Sequence, residues 1–167
     1  GPLPDVLWKF DPTTNMWTWV KGSNVSNSPG VYGTKGVAAP GNYPGSRLQG
    51  MFAWTDLSGD LWLYGGNGFG PTNAQGFLND LWRYNIASNQ WTWMHGDNIA
   101  TPFPGGSYGI QGVASPTNIP PCRREGSSSW TDKNGNLWLF GGESALGAIG
   151  LTNDLWKYDV TTNMWTW

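Results

Sequence analysis

Short apolar segments alternate with polar turns along this chain, and their spacing predicts β-strands rather than helices. We name the segments of each set A to D; they lie at about 49–55, 61–66, 80–84 and 91–93, and recur at about 125–131, 137–142, 154–158 and 165–167. In strand D the pattern is Trp-Thr-Trp, which places both indoles on one face of a sheet. Strand B is apolar at every position before a Gly-Gly pair. Both faces of strand B therefore need cover, which favours sheets stacked face to face.

The four segments form an internal repeat with a period of about 74 residues. The sequence Leu-Trp-Arg-Tyr at 81–84 recurs as Leu-Trp-Lys-Tyr at 155–158, and as Leu-Trp-Lys-Phe at 7–10. Trp-Thr-Trp occurs three times in the same register. The chain therefore divides into a half unit with strands C and D only, and two full units that each begin with a long loop; the ranges are 1–19, 20–93 and 94–167.

The composition agrees with an all-β chain of short strands and tight turns. Of 167 residues, 13 are Trp and 25 are Gly, whereas only 12% are charged. The formal net charge is -2, without the basic stripe that is typical of nucleic-acid-binding proteins. No apolar run reaches the roughly 18 residues of a membrane helix. A single cysteine excludes an intramolecular disulfide, and zinc-site spacings are absent. We therefore expect no nucleic acid, membrane, metal or cofactor as a partner.

Both full units resemble the kelch repeat. A double glycine ends the predicted strand B, and Tyr84 and Tyr158 are each followed, after six intervening residues, by a Trp. Arg47 and Arg123 stand near the start of strand A, where an arginine is also typical of the family. The resemblance implies a β-propeller, in which each unit is one blade: a four-stranded antiparallel sheet that packs on its neighbours around an axis.

Two features depart from the family. The unit of about 74 residues exceeds the usual length of about 50, and the extra length lies in the loops at 20–46 and 94–122. The chain also supplies about two and a half blades, whereas a ring has typically four to eight, so one chain forms an incomplete ring. Three alternatives follow: a piece of a longer propeller, assembly of several chains into a ring or filament, and an isolated monomer.

The repeated tryptophans are the expected packing residues between blades. Their strict recurrence favours a core role over the alternative of platforms for sugars. The predicted inter-blade residues are Trp8, Trp17, Trp19, Trp62, Trp82, Trp91, Trp93, Trp138, Trp156, Trp165 and Trp167.

In a four-stranded antiparallel blade the D-to-A and B-to-C loops emerge on the same face, and here they are the long ones; we call this the long-loop face. It carries the candidate ligand-binding residues, because loops held by a rigid scaffold often carry function. Aromatic side chains there suit stacking on sugars, and arginines suit an anionic ligand. The candidates are Tyr32, Tyr43, Phe69, Phe103, Tyr108, Arg47 and Arg123. The alternative is structural: the loop residues pin each loop to its own blade, and the arginines bond to loop carbonyls. Asp80 and Asp154 precede strand C and are interpreted as caps, with a cation site as the alternative.

An enzymatic role is not expected, and no catalytic residue is predicted. Galactose oxidase, a kelch-type propeller, holds copper with two His and two Tyr, whereas this chain has one histidine, His95. The predicted function is a non-catalytic interaction or structural module whose partners are further kelch-like blades. The alternative is a carbohydrate-binding propeller that uses the long-loop face. Low charge and an Asn, Thr, Gly and Trp bias favour an extracellular or cell-surface location.

Overall fold

The computed structural model describes residues 5–102, 104–145 and 149–167, and these form eleven β-strands and no helix. Every strand pair is antiparallel. The prediction of an all-β fold with antiparallel sheets is therefore confirmed. Because the described residues contain no helix, they also contain none long enough to cross a membrane.

The first two strands form a hairpin, which we call the N-terminal hairpin. It consists of β1 (Leu7–Asp11) and β2 (Met16–Lys21). Asn15 closes its turn with a φ of 57°, a left-handed conformation that asparagine tolerates better than most residues. Among the described residues no strand pairs with the other side of β1, so this edge is open.

The next four strands form the central sheet, in the spatial order of the sequence. They are β3 (Arg47–Thr55), β4 (Leu61–Phe69), β5 (Gln75–Asn85) and β6 (Gln90–His95). The turn between β3 and β4 is built on Asp56, whose carboxylate accepts from the Ser58 amide at 2.9 Å and from the Trp62 indole at 2.8 Å. Gly59 completes the turn at a φ of 84°, as the Asx-Gly pattern predicts.

The last five strands form the C-terminal sheet. They are β7 (Arg123–Glu125), β8 (Ser128–Thr131), β9 (Leu137–Ala145), β10 (Ile149–Asp159) and β11 (Met164–Thr166). Both β7 and β8 pair with β9, so the second predicted strand A is split into two. Gly126, with a φ of 76°, lies in the break between them.

The double glycines do not end strand B, which corrects the sequence-based boundary. Gly65 and Gly66 have φ values of 66° and 102°, and the β4–β5 register shifts between Tyr64 and Gly66. A bulge of this kind kinks a strand without ending its pairing. As a result β4 continues to Phe69, and the loop before β5 is shorter than the sequence indicated.

The central sheet is covered on both faces, as the uniformly apolar strand B predicts. One face packs on the C-terminal sheet; the shared core consists of Trp54, Trp62, Tyr64, Leu81, Leu137, Leu139, Trp156, Tyr158 and Trp165. The other face packs on the long loop and the N-terminal hairpin; its core consists of Tyr32, Trp82, Tyr84 and Trp91, with Leu7, Val20, Leu61 and Leu63 against it. Alternation along each strand sends neighbouring residues to opposite faces.

Candidate functional site

A buried carboxylate organises the loop end of the central sheet. Asp80 accepts from both terminal nitrogens of Arg47, at 2.8 and 3.0 Å. It also accepts from the Tyr32 hydroxyl at 2.6 Å and from the Trp82 indole at 2.7 Å. Burial is the main reason why the pKa of Tyr32 lies well above its usual value, and the adjacent Asp80 charge adds to it. We call this group of four residues the central tetrad.

The C-terminal sheet repeats the arrangement as a second tetrad. Asp154 accepts from Arg123 Nη2 with both oxygens at 2.8 Å, from the Tyr108 hydroxyl at 2.7 Å and from the Trp156 indole at 2.7 Å. Burial opposes the ionisation of Asp154, but these hydrogen bonds outweigh it and hold its pKa below the usual value. Each tetrad therefore ties a long loop to strands A and C of one sheet.

The tetrads include four of the seven residues that sequence analysis offered for ligand binding, namely Tyr32, Arg47, Tyr108 and Arg123. Arg47 and Arg123 are buried against carboxylates, and Arg47 also donates to the backbone oxygens of Gly45 and Gly65. The two aspartates accept hydrogen bonds from an arginine, and among the described residues no group of three His, Cys, Asp or Glu side chains is placed to hold a metal ion.

The candidate loop aromatics offer little open ring surface. Tyr32 and Phe69 are buried, and Tyr43 and Tyr108 are half-buried. Phe103 lies outside the described residues. The carbohydrate-binding interpretation stays a prediction.

Both long loops run along the outer strand of their own sheet with the same hydrogen bonds. The Gly36 amide donates to the Trp93 oxygen and the Gly112 amide to the Trp167 oxygen, each at 2.8 Å. Ala39 forms a bridge with Trp91 as Ser115 does with Trp165; the latter includes a 3.2 Å bond from the Ser115 amide. The repeated loop motifs therefore cover the outer edges of β6 and β11.

Aromatic pairs join the central and C-terminal sheets. The rings of Trp62 and Tyr158 are 5.4 Å apart between centroids, and those of Tyr64 and Trp165 are 5.8 Å apart, both edge-on. The Tyr64 hydroxyl also donates to the Pro120 oxygen at 2.5 Å. We call this contact the internal interface. Its aromatic pairs use strand B of one sheet and strands C and D of the next. Strands A contribute as well, since the Trp54 indole donates to the Trp138 oxygen at 3.1 Å and the Thr131 hydroxyl donates to the Thr55 oxygen at 3.0 Å.

Polar contacts at the strand D ends also join successive sheets. Lys21 donates to the backbone oxygens of Pro40 and Asn89, at 2.9 and 3.1 Å. His95 occupies the equivalent position at the end of β6 and is buried, with its ring edge-on to Tyr158. Burial lowers the pKa of His95 to about 4, and the Lys35 charge adds to the effect. His95 is therefore neutral at pH 7.

The N-terminal hairpin turns an aromatic face to solvent. Phe10 and Trp17 are 40% and 65% exposed, whereas Tyr158 and Trp165, at the same repeat positions, are each 0% exposed. The difference has a direct cause, since Trp62 and Tyr64 cover the latter pair and nothing in the described chain covers the former. Trp8 and Trp19 are exposed on the same hairpin; we call this surface the N-terminal face.

The C-terminal sheet exposes the face that corresponds to the strand B side of the internal interface. Trp138 and Phe140 occupy the positions of Trp62 and Tyr64, but Trp138 is only half-buried and Phe140 is exposed. Trp130, which stacks on Trp138 with ring centroids 5.9 Å apart, is exposed as well. An open cavity of about 760 Å³ lies beside them; its lining includes Tyr108, Trp138, Leu151, Leu155, Lys157 and Trp167. We call this surface the C-terminal face.

The predicted inter-blade tryptophans thus fall into three groups. The buried ones are Trp62, Trp82, Trp91, Trp156 and Trp165; the half-buried ones are Trp93, Trp138 and Trp167; the exposed ones are Trp8, Trp17 and Trp19. Sequence analysis missed Trp54 and Trp130, although both stand at the same repeat position, each followed by Thr-Asp, which was a usable signal. It also missed the tetrads, whose four residue types recur in register in both full units.

No protein-family model matches this chain, and no curated protein matches it.

Proposed function

We propose that this chain is a kelch-like β-propeller segment that acts as a non-catalytic interaction or structural module. In this proposal the central and C-terminal sheets are full blades and the N-terminal hairpin is half a blade. The two end faces pack on further blades of the same kind, in the same parent chain or in other chains. The extracellular or cell-surface location belongs to the same proposal and rests on composition alone.

One observation carries the proposal: the same repeat position is buried where a sheet precedes it and exposed where none does. Trp165 is covered by Tyr64, whereas Trp17 has no such cover among the described residues. The indoles of Trp17, Trp130 and Trp138 are the ones whose repeat equivalents are buried in the internal interface. Covering roughly 100 Å² on each of them would contribute about 7 kcal/mol, before the entropic cost of association. An apolar surface of this kind is typical of an interaction site.

The non-catalytic part of the proposal draws on how the ionisable groups are used. The buried carboxylates of the tetrads accept hydrogen bonds from Arg, Tyr and Trp, and their role is to fix loops to strands. His95 is buried between two sheets and neutral at pH 7. A general base or nucleophile needs reach to a substrate. Asp80 and His95 are buried, and the Asp154 carboxylate, which lines the open cavity beside Trp138, is already bonded to Arg123, Tyr108 and Trp156.

The proposal is tested by adding a blade. A second copy of residues 94–167 is fused after Trp167, and thermal unfolding and amide exchange are measured against the unfused chain. We expect a higher Tm and slower exchange in β9 and β10, because the C-terminal face becomes an internal interface.

The matched control is the same fusion with Phe140→Asp, compared with unfused Phe140→Asp. Phe140 is exposed in the unfused chain, so the substitution leaves its fold intact while spoiling the new contact. A fused repeat that melts separately and leaves the exchange of β9 and β10 unchanged would contradict the proposal.

A further inference from the structure

We infer that each end face binds the opposite end face of a second copy of this chain, so that copies associate head-to-tail. The inference rests on the proposed function and names the partner that it leaves open. Four observations carry it: the aromatic pairs of the internal interface, the strands that supply them, the position of charged groups, and the covered outer edges.

The end faces hold the two halves of the aromatic pairs that join the sheets inside the chain. Trp138 and Phe140 on the C-terminal face correspond to Trp62 and Tyr64. On the N-terminal face, Phe10 and Trp17 correspond to Tyr158 and Trp165. In a head-to-tail contact Trp138 therefore meets Phe10, and Phe140 meets Trp17.

The strands that make these pairs are present at both ends. Trp138 and Phe140 lie on β9, and their expected partners Phe10 and Trp17 lie on β1 and β2. The N-terminal hairpin has no strands A and B, but the two aromatic pairs of the internal interface do not use those strands on the receiving side. Both aromatic pairs can therefore form between copies, whereas the contacts that Leu137, Leu139 and Thr131 add to the internal interface have no counterpart on the hairpin.

The charges at the end faces favour head-to-tail over same-face contact. In the internal interface Arg83 stacks near Trp62 and acts to lower the pKa of Tyr158, while Asp159 acts to raise it. The corresponding residues at the ends are Lys157 on the C-terminal face and Asp11 beside the N-terminal face.

Hydrogen bonds from Thr13 lower the pKa of Asp11, so its carboxylate is ionised at pH 7. A head-to-tail contact brings Lys157 of one copy towards Asp11 of the next. Two C-terminal faces, or two N-terminal faces, would instead bring like charges together, which disfavours the wrong pairing.

Sideways association is limited at β6 and β11, because the long loops already bridge these outer strands. A covered strand edge does not pair with another sheet. Growth from the two larger sheets is therefore directed along the stacking axis, while the edge of β1 stays open. Such a heterologous contact gives a ring if the rotation closes and a filament if it does not.

The test uses the whole chain in sedimentation velocity and light scattering between about 1 and 200 µM, a range that brackets the micromolar affinities of weak specific contacts. We expect the wild-type mean mass to rise with concentration above the 18.3 kDa of one chain. Two variants each block one face: Trp17→Asp on the N-terminal face and Phe140→Asp on the C-terminal face. Circular dichroism confirms that both are folded, and Trp17→Ser replaces the first variant if it is not.

The decisive sample is an equimolar mixture of the two blocked variants. Each variant alone is expected to stay at the mass of one chain, because it has one working face and no partner for it. The mixture is expected to give a dimer and nothing larger, since one pair of working faces remains. The control Ile99→Asp changes an exposed apolar residue in the loop after β6 that belongs to neither face as defined above and is expected to assemble like the wild type.

Two results would overturn the inference. One is a wild-type chain that stays monomeric over the whole range; the other is a blocked variant that associates with itself, which would indicate same-face contact. Failure here is separable from failure of the proposed function. A monomeric chain that is nevertheless stabilised by a fused repeat keeps the proposed function and removes the second copy as the partner.

Discussion

At the scale of single residues, the tetrads place full charges inside a chain that has few of them. The Arg47–Asp80 pair is buried, and its carboxylate accepts four hydrogen bonds from three side chains. A buried ion pair contributes little net stability, but breaking it leaves one uncompensated charge. The tetrad is therefore sensitive to the loss of either partner.

We predict that Asp80→Asn destabilises the chain by about 3–5 kcal/mol, because the Arg47 guanidinium stays buried without its carboxylate. Urea unfolding at low protein concentration measures the change. Glu125→Gln makes the same carboxylate-to-amide change at an exposed position and is expected to stay within about 0.5 kcal/mol of the wild type. Equal effects of the two substitutions would show that Asp80 is not a structural charge.

The single histidine predicts a pH dependence of stability. The pKa of His95 is about 4 in the folded chain against the usual 6.5 of a histidine, so between these values the unfolded chain binds a proton that the folded chain does not. Stability therefore falls as the pH drops from 6.5 to 4, by roughly 3 kcal/mol in total. Unfolding free energies of the wild type and His95→Gln over this range test it, and the difference between them should vary with pH. Charged neighbours are Lys35 and Asp97.

At the scale of elements, the double glycines allow a strand to kink and continue. Gly66 has a φ of 102°, and a Cβ there would lie 3.0 Å from the Leu48 oxygen. We predict that Gly66→Ala costs about 1–3 kcal/mol in unfolding free energy. Gly41→Ala, where a Cβ meets nothing within 4 Å, is the matched control and should be neutral or slightly stabilising. A neutral Gly66→Ala would mean that the kink has no conformational requirement.

Strand positions could be predicted from the sequence because the apolar pattern fixes which residues need cover. The Leu-Trp-Leu-Tyr run of β4 and the Trp-Thr-Trp run of β6 lie where they were expected. The continuation of β4 beyond Gly66 was missed, because glycine weakens a strand by its backbone freedom and gives no sign of a bulge. The split at Gly126 was missed for the same reason.

The candidate site was less predictable than the strands. Arg47 and Asp80 are 33 residues apart in sequence, and strand order alone does not say which side chains meet at the end of a sheet. The resemblance to the kelch repeat singled out Arg47 as the arginine near the start of strand A, but it did not identify Asp80 as its partner. The exposed end faces follow from the repeat itself, whereas the degree of exposure depends on what packs against each face.

At the scale of the whole molecule, the same repeat position is buried as Trp165 in the C-terminal sheet and exposed as Trp17 in the N-terminal hairpin. We predict that Trp165→Ala costs about 3–5 kcal/mol, because it removes a buried indole from the internal interface. Trp17→Ala should change the stability of the separate chain by less than about 0.5 kcal/mol. Denaturant unfolding at low concentration compares the two, and similar losses at both positions would contradict the idea that the N-terminal face lacks cover.

The loops that bridge the outer strands have a consequence for how such a chain can lengthen. Each 74-residue unit supplies the loop that bridges its own outer strand. Duplication of the unit in a gene therefore adds length without exposing a new outer strand edge. Both end faces keep the same residues after every such duplication. Arrays of different size could thus descend from one another in single steps and present the same two end faces.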